Sequence, residues 1–94
     1  MTPFHKASAI GHLQVVQFLR QFIQNVDIKT DSYWHNITPL HWASLYGEID
    51  VVKYLISQGA DLRIKDGTYN QTPLHWASRD GHIDVVKYLI SQYF

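Results

Sequence analysis

The 94-residue chain contains no cysteine and no long run of apolar residues, and its charges balance. Without cysteine it cannot form disulfides or thiolate metal sites, which fits a reducing compartment. Eight basic and eight acidic side chains give a net charge of zero, and no segment carries a run of like charge. The basic stripe typical of nucleic-acid binders is missing. The composition therefore excludes a disulfide-stapled domain and predicts no nucleic-acid partner.

Signals for membrane insertion and secretion are also lacking. The longest apolar runs cover only a few residues, far fewer than the roughly 20 that span a bilayer. The first six residues lack the basic-then-apolar order of a secretory signal. With 46% apolar and 17% charged residues, the composition is that of a folded domain. We therefore expect no membrane association and a cytoplasmic location, with the nucleus as an alternative.

What the chain does have is an internal repeat. Residues 38–44 read Thr-Pro-Leu-His-Trp-Ala-Ser, and residues 72–78 read the same. A divergent copy, Thr-Pro-Phe-His-Lys-Ala-Ser, occupies residues 2–8, so the copies begin 36 and 34 residues apart. The 21-residue blocks 38–58 and 72–92 differ at three places only, which are the pairs Leu45 and Arg79, Tyr46 and Asp80, and Glu48 and His82.

Local signals predict a helix, a turn and a second helix in each copy. Thr38 followed by Pro39 supplies a hydroxyl N-cap and a proline at the first helical position. Gly47 and Gly81 suit the left-handed residue that ends such a helix. The second helix carries an apolar face, formed by Ile49, Val51, Val52, Tyr54, Leu55 and Ile56. One helix pair cannot bury so wide a face, so we expect stacked pairs forming one domain over residues 1–94.

The connections between the helix pairs are polar and rich in turn-forming residues. Within residues 60–71, Leu62 and Ile64 alternate with Arg63 and Lys65, which is a weak strand signal. We therefore expect extended, hairpin-like fingers between the helix pairs.

These motifs resemble the ankyrin repeat. The family pattern is similar to Thr-Pro-Leu-His-x-Ala, then Gly-His and an apolar helix ending in Gly-Ala-Asp, which the second copy matches over residues 38–61 except for Glu48. The resemblance covers the whole chain and implies an all-α solenoid of three helix-turn-helix repeats joined by hairpin-like fingers. It also implies a non-catalytic module that binds another protein through its finger tips and first helices. The implied repeats are residues 1–35, 36–69 and 70–94.

The chain departs from the family pattern in its fingers and at its ends. The family repeat has about 33 residues, so the wider spacing implies longer fingers. Asn36 and Asn70 replace the glycine expected before Thr-Pro, and asparagine tolerates the left-handed conformation well. The first copy looks like an N-terminal cap, because Lys6 replaces tryptophan and Arg20 replaces isoleucine, which gives a wettable outer face. The third copy keeps its apolar face, so we expect either further repeats or self-association there.

Six histidines raise the alternative of a metal site. His41 and His75 stand at equivalent positions on stacked helices roughly 8–10 Å apart, too far for one zinc ion with bonds of about 2 Å. The resemblance implies instead that His5, His41 and His75 tie each first helix to the neighbouring loop. We expect His12 and His82, at the start of second helices, to be structural as well.

Catalysis has no better support. Ser44 follows His41 by three residues, but no acid and no oxyanion cradle accompany the pair. The glycines are scattered at helix ends, so no phosphate-binding loop is present. We therefore expect no enzymatic activity, no cofactor and no metal.

The differences between the copies point to a binding surface. Two of the three differences precede Gly47 and Gly81, at the end of a first helix. Together with Ala9 and Ile10 these pairs form a strip that runs from apolar to charged. We predict a protein partner with an apolar anchor on the first two repeats and polar contacts on the third. The candidate partner-binding residues are Tyr33, Trp34, His35, Ile37, Trp42, Leu45, Tyr46, Thr68, Tyr69, Gln71, Trp76, Arg79 and Asp80.

Other roles remain open for these residues and for the chain. Packing between repeats is the alternative for Trp42 and Trp76, and folding back onto the next finger is the alternative for Trp34. The chain itself could be a self-associating structural piece, or the targeting domain of a larger enzyme or channel. A fold of this kind serves many partners, so it does not name the one bound here.

Overall fold

A computed structural model describes residues 1–31 and 35–93. This part of the chain holds six helices and no strand, and none of the helices is long and apolar enough to cross a membrane. The helices are α1 (Pro3–Ile10), α2 (Leu13–Arg20), α3 (Pro39–Leu45), α4 (Ile49–Ser57), α5 (Pro73–Arg79) and α6 (Ile83–Tyr93). The first helices pack in the order α1, α3, α5, and the second helices form a parallel layer in the order α2, α4, α6. The predicted all-α stack of three helix pairs is confirmed.

Each first helix begins with the same capping box. Thr2, Thr38 and Thr72 are the N-caps, and each hydroxyl accepts from the backbone N–H of the histidine three residues later. The histidine ring returns the contact, since His41 Nδ1 lies 2.7 Å from Thr38 Oγ1 and accepts from the Thr38 N–H. Such a box satisfies two otherwise orphaned backbone donors. The predicted threonine caps are confirmed in all three copies.

The turn between the two helices of a pair requires glycine. Gly47 has a φ of 71° and Gly81 a φ of 72°, which is the left-handed region that favours glycine. At Gly47 a side chain is also excluded by contact, because a Cβ there would lie 2.5 Å from Nδ1 of His82 in the next repeat. The predicted left-handed glycine turns are confirmed.

The core lies between the two helix layers. Leu40, Val52 and Leu55 are completely buried at its centre, and Trp42 contacts Trp76 edge to face with ring centroids 6.1 Å apart. Packing between repeats, the alternative role considered for the two tryptophans, is therefore present. Apolar burial of this kind supplies most of the stability of a small domain.

The fingers are closed by hydrogen bonds but contain no strand in their described residues. The Thr30 N–H donates to Ile37 O, and the Asp66 N–H donates to Gln71 O, so the first loop is two residues longer than the second. The strand signal at Leu62 to Lys65 is wrong. The Arg63 N–H donates to the Asp61 side chain and the Ile64 N–H to the Asp61 carbonyl, which curls this segment into a turn.

Asparagine does take the place of glycine before each Thr-Pro. Asn36 has a φ of 53° and Asn70 a φ of 54°. The left-handed turn predicted for both residues is therefore confirmed.

The predicted N-terminal cap is half right. Lys6 is exposed, as expected for a wettable outer face. Arg20 is half-buried, and its Nη1 donates to Ile23 O. The equivalent residue of the second repeat, Ile56, is half-buried, whereas that of the third repeat, Ile90, is exposed. This position therefore faces the following repeat. The assignment of Arg20 to the outer face is therefore wrong, because the spacing of the residues does not tell the two sides of a repeat apart.

Candidate functional site

Two of the motif histidines join their helix to the finger that follows. His5 Nε2 lies 2.7 Å from Ile28 O, and His41 Nε2 lies 2.8 Å from Gln71 O. Because Nδ1 of each ring accepts from the threonine N–H, Nε2 carries the proton and donates to the carbonyl. Burial is the main cause that lowers the pKa of both histidines, outweighing the carbonyl bonds that raise it. The expected structural role of His5 and His41 is confirmed.

The other histidines are placed differently. His75 forms its capping box in an exposed position, with no carbonyl partner in the described part of the chain. His82 reaches the preceding repeat, where its Nε2 lies 2.7 Å from Leu45 O. His12 is exposed and caps no backbone donor. Within residues 1–31 and 35–93 no group of three or more histidine and acidic side chains is arranged to hold a metal ion.

A first groove of ≈ 420 Å³ runs between α1 and α3. Tyr46 is 53% exposed, although its ring stacks on Trp42 with an interplanar angle of 5°. Ile10 is exposed on the opposite wall, and Lys6 supplies the cation. The complete lining is Met1, Lys6, Ala9, Ile10, Trp42 and Tyr46. This groove offers an apolar floor and the positive charge of Lys6.

A second, smaller groove of ≈ 190 Å³ lies between the two fingers and α5. It is lined by His35, Ile37, Asp66, Thr68, Tyr69, Gln71, Trp76 and Arg79. Tyr69 and Arg79 are exposed at its rim, whereas Ile37 is buried and lies at its base. More of its lining residues have polar side chains than in the first groove.

Asp66 organises the second groove. Its Oδ1 accepts from the N–H groups of Thr68 and Tyr69, and its Oδ2 accepts from Trp76 Nε1 at 2.8 Å. Burial alone would raise the pKa of this carboxyl group, but these three hydrogen bonds, with the nearby His41 ring as the smallest cause, together lower it. Asp66 therefore stays ionised while holding the finger and the tryptophan in place.

The structure brings most of the predicted site residues together in these two grooves. Trp42 and Tyr46 line the first, and His35, Ile37, Thr68, Tyr69, Gln71, Trp76 and Arg79 line the second. Leu45 is half-buried and Asp80 exposed, and neither lines a groove. The predictions for Tyr33 and Trp34 lie outside the described residues.

Lys6 and Asp66 are groove residues that the sequence reasoning did not select. Lys6 and Ile10 are four residues apart on α1, as Trp42 and Tyr46 are on α3 and its C-cap, and side chains at that spacing share a helix face. This spacing is the signal by which Lys6 could have been found. The role of Asp66 depends on a contact with Trp76 that local patterns do not reveal.

The helix pairs stack in register, and each pair has the same cap and the same turn. This arrangement defines a helical repeat protein of the solenoid type. Comparison with known families agrees. The family described as "Ankyrin repeats (3 copies)" matches residues 1–66, and "Ankyrin repeat" matches residues 69–93. The chain belongs to the ankyrin repeat family.

The curated relatives are much longer proteins. The chain is 40% identical to palmitoyltransferase AKR1 of Lachancea kluyveri over 62 residues, 66% of this chain and 8% of that protein. It is 44% identical to the ankyrin repeat and SAM domain-containing protein 6 of Mus musculus over 68 residues, 70% of this chain and 8% of that protein. It is 32% identical to transient receptor potential cation channel subfamily A member 1 of Drosophila melanogaster over 73 residues, 69% of this chain and 6% of that protein. The chain thus spans less than a tenth of these relatives.

Proposed function

We propose that this chain binds another protein through the first groove and the exposed ends of its first helices, without catalytic activity of its own. The observation that carries the proposal is the pair of exposed apolar side chains, Ile10 and Tyr46, on the two walls of that groove. Aromatic side chains held in place by a neighbour are typical interface hot spots. Tyr46 is held by its stack on Trp42.

The strip at the ends of the first helices changes from apolar to charged along the stack, and this change indicates the chemistry of the partner. The first two repeats present Ala9, Ile10 and Tyr46, and the third presents Arg79 and Asp80. A segment with an apolar anchor at the first groove and polar groups near the third repeat would match both ends. An acidic group beside the anchor would meet Lys6 across the groove.

The family and the relatives support this assignment in general terms. Ankyrin repeats generally serve as protein-interaction modules, and this chain has the fold of that family. The names of the relatives include a palmitoyltransferase and a cation channel. The second candidate function is therefore a targeting portion of a larger enzyme or channel, and a cytoplasmic or nuclear location belongs to the same proposal.

A displayed peptide library selected on the wild-type chain tests the groove directly. The affinity of a selected peptide is measured by calorimetry for the wild type and for the double variant Ile10→Ala, Tyr46→Ala. We expect binding to weaken about tenfold or more, as for loss of a hot-spot aromatic. The variant Arg79→Ala, Asp80→Ala should weaken binding to a smaller degree.

The matched control is Gln14→Ala, which changes an exposed residue on α2 away from both grooves. Melting curves of all variants establish that they remain folded. Selected peptides that bind the groove variant as tightly as the wild type would show that the interface lies elsewhere. Failure to select any apolar-anchored peptide would also count against the proposal.

A further inference from the structure

The second groove lies between the two fingers and α5, which places it inside the chain and away from both of its ends. Its base is apolar, because Ile37 is buried there and the Trp76 ring is part of the lining. The volume of ≈ 190 Å³ is well below the roughly 300 Å³ of the smallest typical small-molecule pockets. The groove therefore has the size for one side chain of a bound protein.

Arg79 brings an unengaged positive charge to this groove. It is the last residue of α5, it is exposed, and it forms no hydrogen bond or ion pair with another residue within residues 1–31 and 35–93. The equivalent residue of the second repeat is Leu45, so the arginine stands at one of the three places where the two long blocks differ. A guanidinium group can bind a carboxylate through two parallel hydrogen bonds.

The acidic residue in the lining, Asp66, is not available to a ligand in the same way. Its side chain is 2% exposed, and its two oxygens already accept from the Thr68 N–H, the Tyr69 N–H and Trp76 Nε1. Burial and these donors leave almost no oxygen surface for a ligand to contact. The charge that a ligand meets at the surface of the groove is therefore that of Arg79.

Uncharged hydrogen-bond donors line the same groove. Thr68 and Tyr69 are exposed and each has a hydroxyl group, and the half-buried Gln71 has a side-chain amide. An ionised carboxylate accepts hydrogen bonds at about four sites and donates none. One guanidinium group accompanied by several neutral donors therefore matches an acidic side chain above an apolar base.

The second groove adjoins the first across the tryptophan pair. Trp42 lines the first groove and Trp76 the second, and their ring centroids lie 6.1 Å apart. Because neighbouring helices pack about 8–10 Å apart, the two grooves are separated by roughly 6–10 Å. An extended chain advances about 3.3 Å per residue, so side chains about two or three residues apart can reach both grooves.

We propose that the second groove binds an aspartate or glutamate side chain of the partner, about two or three residues in sequence from the apolar side chain that fills the first groove. Arg79 pairs with the carboxylate, the neutral donors surround it, and the methylene groups of the bound side chain lie on Ile37 and Trp76. This inference rests on the proposed function, because it adds a second point of attachment for the same partner.

The acidic side chain contributes more to specificity than to affinity. A charge pair at the rim of a groove is partly hydrated, so it strengthens binding only modestly and is screened by salt. A lysine at the same place in the partner would face Arg79 and be repelled. The second groove therefore selects among partners that carry the same apolar anchor.

The test uses the peptide selected for the first groove, remade with alanine at every position except the apolar anchor. A single glutamate is then moved residue by residue along either side of the anchor, and calorimetry measures each affinity for the 94-residue chain. Glutamate about two or three residues from the anchor should strengthen binding about threefold or more, and lysine there should weaken it. At about 1 M salt, where the screening length is about 3 Å, the advantage of glutamate should shrink.

Variants of the exposed Arg79 assign this advantage to the second groove. Arg79→Gln should abolish it, and Arg79→Glu should reverse it, so that the lysine peptide binds better than the glutamate peptide. Lys6→Gln should leave the advantage intact, because Lys6 lines the first groove. The matched control is Lys87→Gln, which also removes one positive charge but at an exposed position of α6 outside both grooves. Melting curves verify that all variants are folded.

The outcomes separate this inference from the function on which it rests. If the anchor peptide binds but glutamate gives no advantage at any position, or the advantage survives in Arg79→Gln, the inference is wrong and the proposed function stands. A lysine peptide that binds the wild type better than the glutamate peptide also overturns the inference. An anchor peptide that binds equally well to Ile10→Ala, Tyr46→Ala, or that does not bind at all, overturns both.

Discussion

The indole N–H of Trp76 donates to Asp66 Oδ2 over 2.8 Å, whereas the indole N–H of Trp42, one repeat earlier, is buried without a partner among the described residues. The two fingers explain the difference. In the second finger the closing backbone hydrogen bond is donated by Asp66, and in the first finger it is donated by Thr30. The Thr30 Oγ1 accepts from the Ile37 N–H. Two tryptophans in the same motif therefore have different surroundings.

We predict that Trp76→Phe destabilises the chain much more than Trp42→Phe. The change at Trp76 removes a donor from the buried Asp66 carboxylate and should cost about 1–3 kcal/mol. The change at Trp42 removes a donor that has no partner among the described residues, so only the packing of the larger ring should be lost there. Urea denaturation at neutral pH measures both, and equal losses would show that the indole hydrogen bond contributes nothing.

Replacing the turn glycines should have unequal effects. Gly81→Ala forces a side chain into a left-handed conformation, at a cost of about 1–2 kcal/mol, with nothing within 4 Å to clash. Gly47→Ala has the same conformational cost but also places its Cβ against the His82 ring. We therefore expect a larger drop in the free energy of unfolding for Gly47→Ala.

A double-mutant cycle isolates the steric part of the Gly47 effect. In the background His82→Ala the clash is absent, so Gly47→Ala should then cost about as much as Gly81→Ala. The same large loss in both backgrounds would mean that the His82 ring does not determine the difference between the two glycines.

The capping threonines should also differ in their contribution. The box formed by Thr38 and His41 is completely buried, whereas the one formed by Thr72 and His75 is exposed. Loss of an N-cap costs about 0.5–2 kcal/mol. We expect Thr38→Ala near the upper end and Thr72→Ala near the lower end, as measured by thermal or urea unfolding. A larger loss for Thr72→Ala would contradict this assignment.

Stability should fall as the pH is lowered from 7 to 5. The pKa of His5 and of His41 is lowered below the ordinary value of 6.5, chiefly by burial. The unfolded chain therefore binds protons first, and the stability present above pH 6.5 is lost as the pH falls towards the folded pKa. The pKa shifts of Asp27 and Asp66 act near the ordinary aspartate value of 3.8, below this window.

Single variants assign this pH dependence. His41→Gln removes one titrating ring, so the difference between the urea midpoints at pH 7 and pH 5 should shrink. Gln14→Ala, at an exposed position without a titrating side chain, should leave that difference unchanged. Equal differences in both variants and the wild type would show that His41 is not the source.

Local chemistry accounts for the features that could be predicted from the residues. Threonine before proline fixes the start of each first helix, and glycine or asparagine fixes each left-handed turn, because these preferences act within a few residues. The threonine caps and the turns at Gly47, Asn36 and Asn70 are as predicted. The strand signal at residues 62–65 is wrong because Asp61 accepts hydrogen bonds from the Arg63 and Ile64 N–H groups and curls the segment into a turn.

Tertiary packing determined which residues of different elements lie side by side, and the repeated motifs could not indicate this. The grouping of Lys6 with Trp42 and Tyr46, and of Asp66 with Trp76, depends on which helices lie side by side. The same is true of Arg20, whose side of the repeat becomes clear only from the neighbours it contacts.

By itself the sequence therefore determined the repeat, the starts of the first helices and the turns, since near-identical blocks carry the same short-range signals. Only the tertiary structure decided which equivalent residues are buried. Val51 and Val15 have the same type of side chain, yet one is covered by the preceding repeat and the other faces solvent. The physical reason is that burial belongs to a position in the stack, and identical side chains acquire different roles when one of their neighbours is missing.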